Sequence, residues 1–369
     1  MKPYPCPNCG HLDHLEVRVC PRCSFTLGYD PATDQFLFLG DNATVWRDAA
    51  GQAHELVVCA NNNAYAICNW LVPAVGNQPM CLACKHNRTI PDMSAGPDVP
   101  QRWGRIEAAK RRLFHTLIQL KLPAETMAEA DANGTSPGLA FDFLYDPVGE
   151  QTGRVQITTG HDAGVITLNL IEGDDAKREQ MRTSLGEPYR TLLGHFRHEV
   201  GHYYFSRLIE GTAEVEDFRR VFGDERISYE AAKQKYYDGG RASWSTDHIS
   251  AYAAMHPWED FAETFAHLLH IIDTTATIAS FGMQMTRWPG RDRPPAIDFD
   301  PYAASAEQLL AQWEPFAFAE NAINRAMGQL DLYPFHLTDA VIGKLHYVHS
   351  LVQRAGRGEI NGKRQRVAA

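Results

Sequence analysis

The middle of the chain carries the sequence LLGHFRHEVGHYYF at residues 192–205. It contains the pattern His-Glu-x-x-His, formed by His198, Glu199 and His202. Residues four apart share one face of a helix, so both imidazoles can reach a single metal ion. The surrounding apolar residues predict a mostly buried helix, in which histidines need partners. The pattern therefore predicts a zinc site with Glu199 beside it. The alternative is a helix that exposes two histidines and a charge.

A catalytic zinc ion needs a third protein ligand and an open position for water. The segment HPWEDFAETFAHLLH at residues 256–270 offers acidic candidates. Pro257 suits the first turn of a helix, where Glu259 and Glu263 fall on one face, four residues apart. One of the two is expected to bind zinc and the other to orient a ligand histidine. Asp260 is a further candidate, and acids also occur at helix N-termini only to offset the dipole.

These two segments together resemble the gluzincin group of zinc peptidases. The sequence EDFAE at residues 259–263 is similar to a Glu-Phe-Phe-Ala-Glu segment found in that group. The resemblance implies that Glu259 is the zinc ligand and that Glu263 supports a histidine. It also implies that Tyr252, seven residues before the ligand, donates to the oxyanion of the reaction. A tyrosine of the hydrophobic core is the alternative for Tyr252. A sizeable insertion is expected between the two helices.

The expected activity is that of a zinc-dependent peptidase, with endopeptidase action as the main expectation. Zinc would polarise the carbonyl and lower the pKa of bound water towards about 7. Glu199 would take the proton from water and later protonate the amine, while Tyr252 steadies the oxyanion. Two alternatives are a zinc-ribbon binding protein with an inactive peptidase-like domain and a zinc hydrolase of a non-peptide amide or ester. Because Glu199 is present, an inactive domain is disfavoured. His195 is interpreted as a structural histidine, with a cleft-facing role as its alternative.

All eight cysteines lie between residues 6 and 84. This clustering is typical of metal ligands in a reducing compartment rather than of disulfides. Two Cys-x-x-Cys pairs predict a first structural zinc site, formed by Cys6, Cys9, Cys20 and Cys23. A second set with looser spacing predicts a second structural zinc, bound by Cys59, Cys68, Cys81 and Cys84. The alternative for this set is two buried free cysteines beside a lone pair, and His54 or His86 is a candidate to replace one thiolate. Four-thiolate sites leave no open position, so neither is expected to be catalytic.

The predicted fold class is α+β, with a small zinc-ribbon-like β region before a gluzincin-like peptidase domain whose C-terminal part is mostly helical. Five parts are predicted: a zinc ribbon at 1–35, a second Cys-rich zinc-binding β module at 36–95, a catalytic domain at 100–275, a helical subdomain at 276–353 and a disordered basic tail at 354–369. Alternating residues predict strands in several segments, among them 35–39, 55–58, 139–144, 153–158 and 164–170. The last of these is either an edge strand that pairs with an extended substrate or an ordinary sheet strand.

A longer resemblance is carried by six segments. They are CNWLVP at 68–73, NRTIPD at 87–92, GEPYR at 186–190, LYPF at 332–335 and the two segments at 192–205 and 256–270. The chain resembles a bacterial family of zinc-binding metallopeptidases with an N-terminal zinc ribbon, over nearly its whole length up to about residue 353. The resemblance implies a cytoplasmic protein with gluzincin-like chemistry.

The charge and hydropathy of the chain indicate which classes of binding partner and which location to expect. The formal net charge is −10, and an acidic chain repels phosphate backbones, so nucleic-acid binding is not expected. A basic stretch is interpreted as a solvated helix face, and it comprises Arg102, Arg105, Lys110, Arg111 and Arg112. No apolar run is long enough to cross a bilayer, and no secretory signal is recognisable, so a cytoplasmic location is expected. A peptide or protein substrate is expected, and the zinc-ribbon region is the candidate surface for a protein partner.

Overall fold

The computed structural model describes residues 2–40, 44–75, 79–152, 157, 159–185, 191–239, 245–288, 295–360 and 363–364. The strands in these ranges are β1 (Tyr4–Pro5), β2 (Leu12–Asp13), β3 (Thr26–Asp30), β4 (Gln35–Leu39), β5 (Trp46–Arg47), β6 (Ala53–His54), β7 (Leu56–Val58), β8 (Leu71–Pro73), β9 (Asn87–Thr89), β10 (Thr135–Ser136), β11 (Ala140–Leu144), β12 (Gly160–Asp162), β13 (Val165–Asn169) and β14 (Lys363–Arg364). The helices are α1 (Ala60–Tyr65), α2 (Val99–Gln119), α3 (Met127–Asn133), α4 (Pro147–Thr152), α5 (Asp175–Leu185), α6 (Leu192–Tyr204), α7 (Val215–Phe222), α8 (Tyr229–Tyr237), α9 (Pro257–Ser280), α10 (Ala306–Ala326) and α11 (Asp339–Gly356). Short helical turns lie at Cys84–His86, Leu170–Gly173, Phe205–Ile209 and Ala253–Met255.

Small antiparallel sheets build the N-terminal region, and helices dominate the C-terminal part, so the predicted α+β class is confirmed. The N-terminal sheets are β1-β2, β3-β4-β5-β6 and β7-β8. Their buried side chains, such as Tyr29 and Trp70, belong to the same hydrophobic core as Trp103 and Phe114 of α2. The N-terminal region is therefore packed onto the rest of the protein. Its predicted role as a partner-binding surface stays a prediction.

The sheet next to α6 has the strand order β12-β13-β11-β9. Strand β11 runs parallel to both β13 and β9, whereas β12 runs antiparallel to β13. The predicted strand at 164–170 is β13, which lies inside the sheet, so the alternative of an ordinary sheet strand holds. Among the described strands, β12 is the one at this edge. Strand β9 comes from the predicted Cys-rich module at 36–95, so that module supplies one strand of this sheet.

Helix α2 lies between the Cys-rich region and the sheet. The interpretation of its basic stretch as a solvated face is wrong for Arg102, Lys110 and Arg111, which are buried. Lys110 Nζ lies 2.6 Å from the fully buried carboxylate of Glu107. Arg102 pairs with Glu150 at 2.9 Å. These cations are tolerated inside the protein because carboxylates from α2 and its neighbours balance their charge.

Helices α6 and α9 pack directly against each other. An ideal Cβ on Gly201 would lie 2.8 Å from Ala262 Cα, so the two backbones approach more closely than any side chain at this position would allow. A buried network holds the same pair of helices. Arg197 of α6 donates to Asp273 of α9, and Thr116 Oγ1 of α2 donates to Asp273 Oδ2 at 2.6 Å.

The chain between α6 and α9 forms the expected insertion, with α7 and α8. Beyond α9, helix α11 continues through Gly356, past the predicted start of the tail at residue 354. Arg354 is held there by two hydrogen bonds to Glu214, at 2.9 and 2.5 Å.

Strand β14 pairs with β10, and residues 365–369 lie outside the described residues. The predicted strand at 153–158 also lies outside them, apart from residue 157, as does the segment 186–190. The helices of the described ranges include none long and apolar enough to cross a membrane.

The close contact at Gly201 predicts a specific sensitivity. Gly201→Ala should destabilise the protein by about 1–3 kcal/mol, because the added methyl group overlaps the backbone of Ala262. Urea unfolding and zinc content measure the effect. Gly343→Ala is the matched control, because Gly343 lies exposed in α11 with no atom within 4 Å of an ideal Cβ. The control should gain about 1 kcal/mol from helix propensity. If Gly201→Ala gained as much unfolding free energy as Gly343→Ala, the close contact at Gly201 would not limit the packing of α6 against α9.

Candidate active site and metal centres

Three side chains converge between α6 and α9. His198 Nε2 and His202 Nε2 lie 3.1 Å apart, and Glu259 Oε2 lies 3.0 and 3.2 Å from them. Zinc bonds of about 2.0–2.1 Å in tetrahedral geometry would place such ligand atoms about 3.3 Å apart. Glu259 Oε2 is buried and accepts no hydrogen bond from the described residues. A buried carboxylate oxygen without a donor is costly, and a cation would satisfy it. The three residues therefore fit a zinc ion.

Neighbouring side chains hold this set in place. Glu263 Oε1 lies 2.8 Å from His198 Nδ1, and Glu263 Oε2 accepts a hydrogen bond from Ser250 Oγ at 2.6 Å. Both oxygens of Glu263 thus have partners away from the point of convergence. Tyr229 OH donates to Glu259 Oε1 at 2.8 Å, which leaves Oε2 directed at the histidines. The geometry agrees with the division of roles expected for Glu259 and Glu263.

The charges of the set are mutually stabilising. Burial alone would lower the pKa of His198, but Glu259 and Glu263 raise it well above its ordinary value. Burial would raise the pKa of Glu259, but His202 and His198 hold it well below its ordinary value. The other acidic candidate, Asp260, has a different partner, since Lys344 Nζ donates to its Oδ2 at 2.6 Å. Asp260 is therefore not part of the convergent set.

Glu199 lies on α6 directly after His198, and its side chain is buried. Burial would raise the pKa of Glu199, but its contact with His195 and the charges of the neighbouring histidines lower it. His195 Nε2 lies 3.4 Å from Glu199 Oε1, and His195 Nδ1 lies 3.7 Å from Glu172 Oε1. An ionised carboxylate at this position can accept a proton from water.

Aromatic rings line the same region. The centroid of the Tyr252 ring lies 5.8 Å from that of His198, and burial raises the pKa of Tyr252 well above its ordinary value. The ring of Trp258 lies against His202, with centroids 3.7 Å apart. His161, on the edge strand β12, lies 6.3 Å from His202 by the same measure. Burial, with the charge of His202, lowers the pKa of His161 to about 4.

Sequence reasoning missed three residues of this site. Tyr229 arrives from the inserted helix α8, Ser250 from the loop before α9, and His161 from a strand of three residues. A tyrosine or serine without a spacing pattern carries no signal of its own. Ser250 lies two residues before Tyr252, which the sequence did single out.

The first cysteine set is brought together as predicted. Its Sγ atoms lie 3.7 Å apart for Cys6 and Cys23, and 3.6 Å apart for Cys9 and Cys20. Zn–S bonds of about 2.3 Å in a tetrahedron would give about 3.8 Å. All eight cysteines are free thiols. The set therefore fits a tetrahedral zinc ion that leaves no open position.

The second set is also brought together, and all four of its cysteines are buried. The Sγ atoms of Cys68 and Cys81 lie 3.8 Å apart. The neighbouring side chains are charged. Burial would lower the pKa of Arg111, but the nearby sulfur of Cys68 and the carboxylate of Glu107 raise it. A four-thiolate zinc centre carries a net negative charge, which the buried Arg111 complements. The alternative ligands have other partners, because His54 lies 3.1 Å from Asp48 and both ring nitrogens of His86 contact backbone carbonyls.

Comparisons with known proteins agree with this geometry. Residues 99–351 match the family described as "Putative zinc-binding metallo-peptidase", and residues 3–95 match a zinc-ribbon domain. The chain belongs to this metallopeptidase family. It is also similar to uncharacterized proteins of Mycobacterium tuberculosis and Mycobacterium bovis, with 38% identity over 357 residues and 95% of each chain covered. No solved structure matches the chain. The predicted resemblance is confirmed, and peptides or proteins are the class of substrate that the family indicates.

Zinc content should separate the three centres. The intact protein is expected to contain three zinc ions, because in each of three groups the donor atoms lie within 4.8 Å of one another. His202→Ala should lower the content to two and also lower the unfolding temperature, because it leaves the buried carboxylate of Glu259 without a cation. Cys68→Ala should also lower the content to two, at a cost of about 3–5 kcal/mol, because it leaves buried charges unbalanced beside Arg111. Metal analysis and calorimetry measure both quantities, and Cys68→Ala with full zinc and unchanged stability would exclude the second thiolate centre.

Proposed function

We propose that the protein is a zinc-dependent peptidase of the gluzincin type that cleaves within peptide chains. The observation that carries this proposal is the convergence of His198, His202 and Glu259 on one point, with the carboxylate of Glu199 beside it. Two imidazoles and one carboxylate are the donor set of zinc hydrolases that keep an open coordination position. The additional ring of Tyr252 supplies a hydroxyl near the same point.

Each residue has a role in this proposal. When bound by His198, His202 and Glu259, zinc supplies Lewis-acid chemistry that polarises a carbonyl and acidifies water. Glu199 accepts a proton from the attacking water and returns it to the departing nitrogen, so that one amide and one water give a carboxylic acid and an amine. Tyr252 donates a hydrogen bond to the developing oxyanion. Glu263 keeps the ring of His198 in its binding orientation.

Substrate binding is assigned to the edge of the sheet. Strand β12 lies at the edge of the sheet among the described strands, and its His161 lies beside His202 and Trp258. An extended peptide can add to such an edge through main-chain hydrogen bonds. This placement would bring a scissile bond next to the metal centre.

The cysteine chemistry supports a location in the cytoplasm. Two sets of free thiols at zinc-binding distances are stable in a reducing compartment, where disulfides do not form.

Glu199→Gln tests the chemistry. The change preserves the shape of the side chain but removes its basicity, so cleavage of a peptide library should fall by about 10²–10⁴-fold. Zinc content should stay at the wild-type value. Glu216→Gln on α7 is the control, because Glu216 is largely exposed and pairs only with Arg219 among the described ion pairs. Equal cleavage by wild type and Glu199→Gln would exclude the proposed mechanism, and cleavage of small amides alone would assign a non-peptide hydrolase.

Two tyrosine variants separate catalysis from metal binding. Tyr252→Phe should lower kcat by about 10²–10³-fold with little change in zinc content, because it removes an oxyanion donor. Tyr229→Phe should instead weaken zinc affinity by about 10–100-fold, because Tyr229 holds the carboxylate of Glu259. Peptide cleavage assays measure kcat, and competition with a zinc chelator measures the zinc affinity. A loss of kcat in Tyr229→Phe without weaker zinc binding would make Tyr229 the oxyanion donor.

A further inference from the structure

His195 connects the proposed general base to a buried carboxylate outside the metal centre. It lies four residues before Glu199, on the same face of α6. One ring nitrogen is 3.4 Å from Glu199 Oε1, and the other is 3.7 Å from Glu172 Oε1. Among the described residues, the contact with His195 is the one ion pair or hydrogen bond that reaches the carboxylate of Glu199. Glu199 thus has one side-chain partner that can orient its carboxylate.

Glu172 is fixed by its surroundings. It lies in the short turn Leu170–Gly173 that follows β13, and its side chain is buried. The turn begins at Asn169, whose side chain accepts from the backbone N–H of Ile171. Gly173 fixes the other end, because an ideal Cβ there would lie 2.5 Å from the backbone oxygen of Arg102 in α2. The sheet and α2 therefore set the position of Glu172.

The imidazole between these two acids is well suited to hold both. Burial alone would lower the pKa of His195, but the carboxylates of Glu172 and Glu199 raise it to about 9. The two ring nitrogens face one carboxylate each, and both carboxylates favour the protonated form of the ring. Hydrogen bonds between charged partners are stronger and more directional than neutral ones.

We propose that His195 is a positioning residue, which Glu172 orients and which holds one carboxylate oxygen of Glu199 so that the other faces the reacting water. This inference rests on the proposed function, because it gives Glu199 the role of the general base. A carboxylate that is free to rotate would spend less time in the reactive orientation. The turn Leu170–Gly173 thereby contributes to catalysis without touching the substrate.

The test compares three variants with the zinc-loaded wild type. His195→Leu removes both contacts, His195→Gln keeps an N–H donor at similar reach, and Glu172→Gln removes the charge that orients the ring. His346→Leu is the control, because His346 is a partly exposed histidine of α11 that lies 3.5 Å from Glu307, away from the site. Calorimetry measures the affinity for acetohydroxamate, a zinc chelator whose hydroxyl group needs an oriented carboxylate as acceptor. Peptide cleavage gives kcat and KM separately.

His195→Leu should bind acetohydroxamate about 10–100-fold more weakly and lose a similar factor in kcat, with KM and zinc content unchanged. His195→Gln should recover most of the loss in both measurements, and His346→Leu should match the wild type. Wild-type affinity in His195→Leu would overturn the inference, as would a His195→Gln variant as impaired as His195→Leu.

Glu172→Gln keeps the inference testable if His195→Leu does not fold. It should weaken acetohydroxamate binding in the same direction by a smaller factor, and an unchanged affinity would overturn the inference. Chelator binding requires only the loaded centre and Glu199. It therefore tests the role of His195 even if the wild type cleaves no peptide, an outcome that would count against the proposed function alone.

Discussion

The metal centre depends on how closely α6 and α9 approach each other. His198 and His202 meet Glu259 only because Gly201 presents no side chain to the backbone of Ala262. One residue before the first histidine, Arg197 points into the interior and is held by Asp273 of α9. The two helices are therefore held by a close backbone contact near the metal centre and by a buried ion pair next to it. The side chains of His198, His202 and Glu259 can then reach one metal ion.

Buried charge is a second organising feature, and each part of it is balanced locally. Asp260, which follows Glu259 in α9, pairs with Lys344 of α11. Lys110 and Arg111 pair with Glu107, which itself contacts Cys84 of the second cysteine set. A buried ion without its partner is strongly unfavourable, so such pairs fix which surfaces can pack together. The C-terminal helix is thereby attached to α9, and the N-terminal cysteine module is attached to α2.

Much of the site could be predicted from the sequence, because its residues follow short periodic spacings. His198 and His202, and likewise Glu259 and Glu263, lie one helical turn apart, and the cysteine pairs have the spacing of zinc knuckles. What could not be predicted depends on tertiary contacts. The three residues of β9 show no alternation and become a strand only because β11 offers hydrogen bonds. Lys110 and Arg111 have the sequence features of surface residues, because only Glu107 is a nearby partner in the chain. Their other partners, Asn87 and the second cysteine set, come from a different segment.

Helix α2 has a consequence for how this protein can change over evolutionary time. Lys110 lies over the rings of Phe143 and Phe141, at 5.1 and 5.5 Å from their centroids, and also contacts Asn87 of β9 and Glu107. One turn of α2 therefore contacts both the sheet and the second cysteine set. A recombination event that exchanged only the cysteine-rich half for an unrelated one would leave unbalanced charges and an unpaired strand edge. The two halves are consequently expected to be inherited as one unit rather than shuffled as separate modules.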